Sequence, residues 1–88
     1  MSQSTVGEAV VKLLMRSSER HVRLSFEQIA DEAGIQGIGA FEFEWTDDTY
    51  PEVRKWLDAG WEADDEPKSE VVSFSRRDRQ AFFVRNDI

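Results

Sequence analysis

The sequence predicts an α+β fold of three helices and a short antiparallel sheet, and three observations carry that prediction. Apolar residues recur at helical spacing in three separate stretches, each preceded by a Ser or Thr with a Glu or Gln three residues on. Short runs of β-branched and aromatic residues lie between and after those stretches. Finally, 88 residues without a cysteine have enough chain for one hydrophobic core and not for two. Residues 1–88 are therefore expected to form a single compact domain.

Residues 4–18 read as the first helix. Thr5 and Glu8 have capping-box spacing, and Val6, Val10, Leu13 and Leu14 fall at i, i+4, i+7 and i+8, the stripe of a core-facing helix. Gly7 costs something there, up to about 1 kcal/mol relative to alanine. Lys12, Arg16 and Arg20 are spaced by four. They read either as a solvated face near a helix C-terminus or as a row of phosphate contacts.

His21-Val22-Arg23-Leu24 reads as a short strand with Val22 and Leu24 on one side. His21 is the only histidine and has no cysteine beside it, so neither a metal nor a catalytic role is expected of it. Residues 25–33 form the second helix. Ser25 and Gln28 repeat the capping-box spacing, Phe26, Ile29, Ala30 and Ala33 make a buried face, and Gly34 supplies the stop. Gly34, Gly37 and Gly39 then mark turns. They follow a helix rather than a strand, which is not the context of a nucleotide fingerprint.

Phe41-Glu42-Phe43-Glu44-Trp45 alternates aromatic with acidic residues. The period of two predicts a strand with the rings inward and Glu42 and Glu44 outward, beside Asp47 and Asp48. Residues 50–59 are the third helix, with Thr49 and Glu52 at capping-box spacing and Pro51 in the first turn. Val53, Trp56 and Leu57 face the core, and Arg54 and Lys55 face outward. Gly60 ends the helix and turns Trp61 back on it. Residues 61–65, a polar turn at 65–69, and Val71, Val72 and Phe74 then read as a hairpin. Residues 81–85 are a candidate edge strand after the basic cluster Arg76, Arg77 and Arg79. The order α-β-α-β-α-β-β-β is winged-helix-like, although the gap before the third helix is longer than in a helix-turn-helix.

The formal charge is −7, and it is unevenly spread: residues 1–41 carry four basic and five acidic groups, residues 42–66 two and ten, and residues 67–88 five and three. Nucleic-acid affinity comes mostly from Lys and Arg displacing counterions, so the acidic middle segment is a handicap on DNA or RNA. A basic partner surface would be attracted. No run of about 18 apolar residues suggests a membrane span, and the N-terminus lacks the pattern of a signal peptide. Together with the absence of cysteine, a cytoplasmic location is expected.

Val22-Arg23-Leu24-Ser25-Phe26-Glu27-Gln28-Ile29, then Trp45 with Asp48, Trp56-Leu57-Asp58-Ala59-Gly60-Trp61 and Val71-Val72-Ser73-Phe74-Ser75-Arg76 resemble in order and spacing a family of small prokaryotic domains of unknown function. The resemblance covers residues 8–77. That family is defined by its sequence signature rather than by an activity, so the resemblance implies no catalytic residue. Between the second helix and Trp45 the family usually has a proline-containing, basic and aromatic stretch. Here that stretch is Gly37-Ile38-Gly39-Ala40-Phe41-Glu42-Phe43-Glu44. A phosphate-binding role would not carry over with it.

The residues favour a non-enzymatic interaction module, without a cofactor or metal, that docks on a basic protein surface. A small acidic inhibitor that occupies a nucleic-acid channel is one concrete form. Glu42, Glu44, Asp47, Asp48, Asp58, Glu62, Asp64 and Asp65 would supply the charge, and Tyr50 an anchor. The Glu42, Glu44, Asp47 and Asp48 group also reads as a plain solvated face or as hard oxygen donors for a divalent cation, without the spacing of a calcium loop. The alternative is a winged-helix DNA-binding regulator using Arg54, Lys55, Lys68, Arg76, Arg77 and Arg79. No nucleophile or acid/base set supports an enzyme.

Overall fold

A computed structural model describes residues 5–36 and 39–77. The strand expected at 81–85, Arg79 of the basic cluster, and Gly37 and Ile38 lie outside the described residues. The elements run α1 (Val6–Met15), β1 (His21–Ser25), α2 (Phe26–Ala33), a single 3-10 turn (Gly39–Phe41), α3 (Pro51–Asp58), β2 (Trp61–Ala63) and β3 (Val71–Arg76). The fold is α+β, with three helices on a small antiparallel sheet.

Two of the three expected capping boxes form. Thr5 accepts from the Glu8 N–H while Glu8 accepts from the Thr5 N–H, and Ser25 and Gln28 do the same for α2. Gly34 and Gly60 close their helices at φ +74° and +94°, a region where a side chain is strained. At α3 the expected box is absent. The cap is Tyr50, without a side-chain hydrogen bond, and the Thr49 hydroxyl donates to Asp47 instead. The Glu52 carboxylate reaches across to α1 and accepts the Gly7 N–H.

In the sheet, ordered β1-β3-β2, β3 is central and antiparallel to both neighbours. Val22, Leu24, Val72, Phe74, Trp61 and Ala63 share the inner face, and His21, Arg23, Ser73, Ser75 and Glu62 the outer. The hairpin turns more tightly than the sequence suggests. Lys68 pairs with Val71 across Ser69 and Glu70, whose φ angles are +53° and +61°. Both signs are those of a two-residue type I′ turn.

One core joins all the elements, with Leu14, Ile29, Val53, Val72, Phe74 and the three tryptophans fully buried. Through it runs an aromatic stack. Phe26 lies on Phe41 (centroids 4.4 Å apart), Phe43 on Trp45 (4.6 Å) and Trp45 on Trp56 (5.2 Å), and Phe74 meets Trp56 edge-on. Such pairs add about 0.5–1.5 kcal/mol each beyond area burial.

The expected strand at 41–45 does not form, and the stack explains why. Phe41 and Trp45 are buried and Phe43 half-buried, while Glu42 and Glu44 are exposed. The alternation of burial is real, but the backbone bonds locally: Glu42 N–H to the Gly39 carbonyl, Phe43 N–H to Phe41, Asp47 N–H to Glu44. The rings are gathered by one another and not by a neighbouring strand.

Candidate functional site

Residues 42–50 form a loop between the 3-10 turn and α3 that carries Glu42, Glu44, Asp47, Asp48 and Tyr50. A single side chain from the hairpin holds its backbone. The Glu66 carboxylate accepts from the Trp45 N–H (2.9 Å), the Thr46 N–H (2.9 Å) and the Thr46 hydroxyl (2.7 Å). Partial burial pushes the Glu66 carboxyl up, but these bonds outweigh it and hold it below the usual glutamate value. Nothing in the sequence marks Glu66 for this work, since it reads there as one more turn residue.

Within the loop Asp47 takes the Thr49 N–H (2.9 Å) and hydroxyl (2.7 Å), an Asx turn. Those bonds, the backbone one foremost, hold the Asp47 carboxyl below its usual value. Tyr50, 37 % exposed, leans on the half-buried Phe43 ring at 5.9 Å. The loop thus carries both a partly accessible aromatic pair and four carboxylates. None of the ion pairs among the described residues involves Glu42, Glu44, Asp47 or Asp48.

The other expected site residues are placed differently. Asp58 lies at the end of α3, 3.9 Å from Arg54; Glu62 is 3.7 Å from Arg77; Asp65 is 3.6 Å from Lys68. Asp64 accepts the Ser75 hydroxyl at 2.5 Å on the outer sheet face. Asp48 and Glu62 meet again, because both line a half-open cleft of about 320 Å³ between the loop, α3 and β2. A second cleft, about 290 Å³, holds Asp64, Asp65 and Glu66 with Arg23 and Lys68.

The basic residues are largely engaged within the fold. Besides Arg54, Lys68 and Arg77, Lys55 turns toward Glu8 of α1 (4.0 Å) instead of facing freely outward, and Arg76 lies over the Trp61 ring at 5.2 Å. The row Lys12, Arg16, Arg20 does not share one helix, because Arg16 caps α1 and forks onto Glu32 (2.7 and 3.0 Å). Exposed pairs of this kind add little stability, but they do reduce the positive field a phosphate backbone would meet.

His21, Ser75 and Asp64 make a line across the outer sheet face that sequence spacing could not reveal. Ser75 Oγ gives its only proton to Asp64, so the 3.0 Å contact with His21 Nδ1 requires the ring N–H to donate. That is the reverse of a serine activated by histidine, in which the ring must accept the hydroxyl proton. Among the described residues no group of three or more His, Asp or Glu side chains is arranged to hold a metal ion. No helix of the described residues is long and apolar enough to cross a membrane. Comparison with protein-family models, curated proteins and solved structures finds no match to the chain.

Proposed function

We propose that this protein is a non-enzymatic interaction module whose 42–50 loop, with the adjoining Glu62, docks on a basic surface of a partner protein. The observation that carries the reading is the concentration of four carboxylates without an ion pair among the described residues, Glu42, Glu44, Asp47 and Asp48, on one short loop. Asp58, Glu62 and Asp65 have cationic neighbours, whereas the ion pairs of the described residues pass over Glu42, Glu44, Asp47 and Asp48. Glu66 holds the loop's backbone at Trp45 and Thr46, so less backbone ordering entropy is lost on binding. Phe43 and Tyr50 supply apolar contact on the same loop, as interface anchors do. A partner whose basic groove otherwise holds nucleic acid fits this surface.

The test is affinity capture with the tagged protein at graded ionic strength, beside the Glu42→Lys, Glu44→Lys double variant and a duplex DNA titration. A protein retained at low salt, released by salt and lost by the double variant supports the reading. Duplex affinity that falls steeply with salt, with no protein retained, overturns it in favour of a DNA-binding regulator.

A further inference from the structure

A line of side chains runs over the outer sheet face from β1 through β3 to the end of β2. His21, Ser75 and Glu62 stand in one row, and Arg23, Ser73 and Asp64 in the next. Asp64 reaches back to the first row and accepts the Ser75 hydroxyl at 2.5 Å, which turns a lone pair of Ser75 Oγ to the His21 Nδ1–H at 3.0 Å. The neutral ring is thereby held with its proton on Nδ1 and its lone pair on Nε2. Nε2 makes no hydrogen bond among the described residues, and His21 is exposed. Charge on this face is unequally engaged. Asp64 is taken by Ser75, and Glu62 lies 3.7 Å from Arg77, but no ion pair of the described residues includes Arg23. Arg23 is two residues from His21 on the same side of β1, about 7 Å along the strand.

We propose that His21 is a phosphoryl-accepting residue, with Nε2 as the nucleophile and Arg23 as the cation that receives the phosphoryl oxygens. The donor is of the N–P class, a phosphoramidate. The Nε2 lone pair forms the bond to phosphorus as the donor's P–N bond breaks, and the departing nitrogen, already protonated in the donor, takes that electron pair and leaves as a neutral amine. Nδ1 keeps its proton throughout. The ring gains positive charge as the new bond forms, and the Ser75 hydroxyl relays the stabilising pull of the Asp64 carboxylate to it, as an aspartate does directly for the histidine of a catalytic triad. Arginine suits the acceptor side because its guanidinium offers paired N–H donors in a fixed fork that matches phosphoryl oxygens. None of these residues belongs to the 42–50 loop, so the site stands apart from the docking surface.

The experiment is incubation of the whole protein with phosphoramidate at mildly alkaline pH, followed by phosphorus NMR, with the urea-unfolded chain as the reference. His21 is the only histidine, so every phosphohistidine signal belongs to it. The expected result is an Nδ1–H tautomer in the nitrogen NMR of the free protein, a single adduct at Nε2, and a rate at least about tenfold above that of the unfolded chain, the scale of one hydrogen bond to a charged group. Asp64→Asn and Arg23→Gln are each expected to slow the reaction, and Ser75→Thr, which keeps the hydroxyl, to retain the rate that Ser75→Ala loses. A folded-state rate no greater than that of the unfolded chain, an adduct at Nδ1, or an Nε2–H tautomer in the free protein overturns the proposal. Undiminished reactivity in Asp64→Asn and Arg23→Gln also overturns it, because the exposure of one imidazole would then be the whole effect.

Discussion

The Gly7 N–H donates to the Glu52 carboxylate at 2.5 Å, tying the first turn of α1 to the first turn of α3. The contact puts a negative charge at the positive end of α1 and satisfies a donor that the helix itself leaves open. It also fixes how close the two helices come. A Cβ added at Gly7 would lie 2.7 Å from the Glu52 carbonyl oxygen and 2.8 Å from both Glu52 Oε1 and Lys55 Cδ.

Gly7→Ala is accordingly expected to destabilise the protein. Alanine is the better helix former by about 1 kcal/mol, but the backbone oxygen cannot move aside as a side chain could, and overpacking of this kind costs about 1–3 kcal/mol. Chemical denaturation should show a lower midpoint. A midpoint raised by the substitution would mean that the helices part without penalty.

Glu66→Ala removes the acceptor of three hydrogen bonds and is expected to cost about 1.5–3 kcal/mol, the range for bonds to a charged group. Its pH signature has a definite sign. Because the folded carboxyl titrates below its ordinary value of 4.5, its contribution is present above that value and is lost as pH falls through the lowered folded one. Acid titrations of stability should therefore be flatter in Glu66→Gln than in the parent over that window. Superimposable slopes would show that the carboxylate does not anchor the loop.

Ser69→Asn with Glu70→Gly is expected to stabilise the hairpin. Both residues sit at positive φ, where Asn-Gly is the preferred pair, and relief of left-handed strain is worth about 1 kcal/mol for a residue with a Cβ. Thermal unfolding should shift upward by a few degrees, about 4–8 °C per kcal/mol for a domain of this size. A lower midpoint would contradict the type I′ geometry.

Glu42→Lys with Glu44→Lys should leave the fold intact, since both side chains are exposed and outside the ion pairs of the described residues. A stability change within about 0.5 kcal/mol is expected. Retention of a captured partner by this variant would count against the loop as the docking surface.

Local signals in the sequence were reliable where the structure is local. The capping boxes at Thr5 and Ser25 and the glycine stops at Gly34 and Gly60 depend on residues within four positions of one another, and they form as spaced. The alternation at 41–45 misled because a period of two reports which side chains are buried and not whether the backbone has a sheet partner. Thr49 and Glu52 carry a cap signature, yet Glu52 bonds 45 residues away, and such a competitor leaves no trace in spacing. The acidic segment was legible as composition. Its division into a loop set and a cation-paired set was not, because Arg77 meets Glu62 only through the pairing of β2 with β3.

The stacking of Trp45 on Trp56 at 5.2 Å and 19° has an optical consequence. Two indoles held that close and nearly parallel couple their electronic transitions, and Trp61, buried in the same core, shares their shielding from water. Circular dichroism in the aromatic region should thus report the integrity of the junction between the 42–50 loop, α3 and the sheet, without any label being attached.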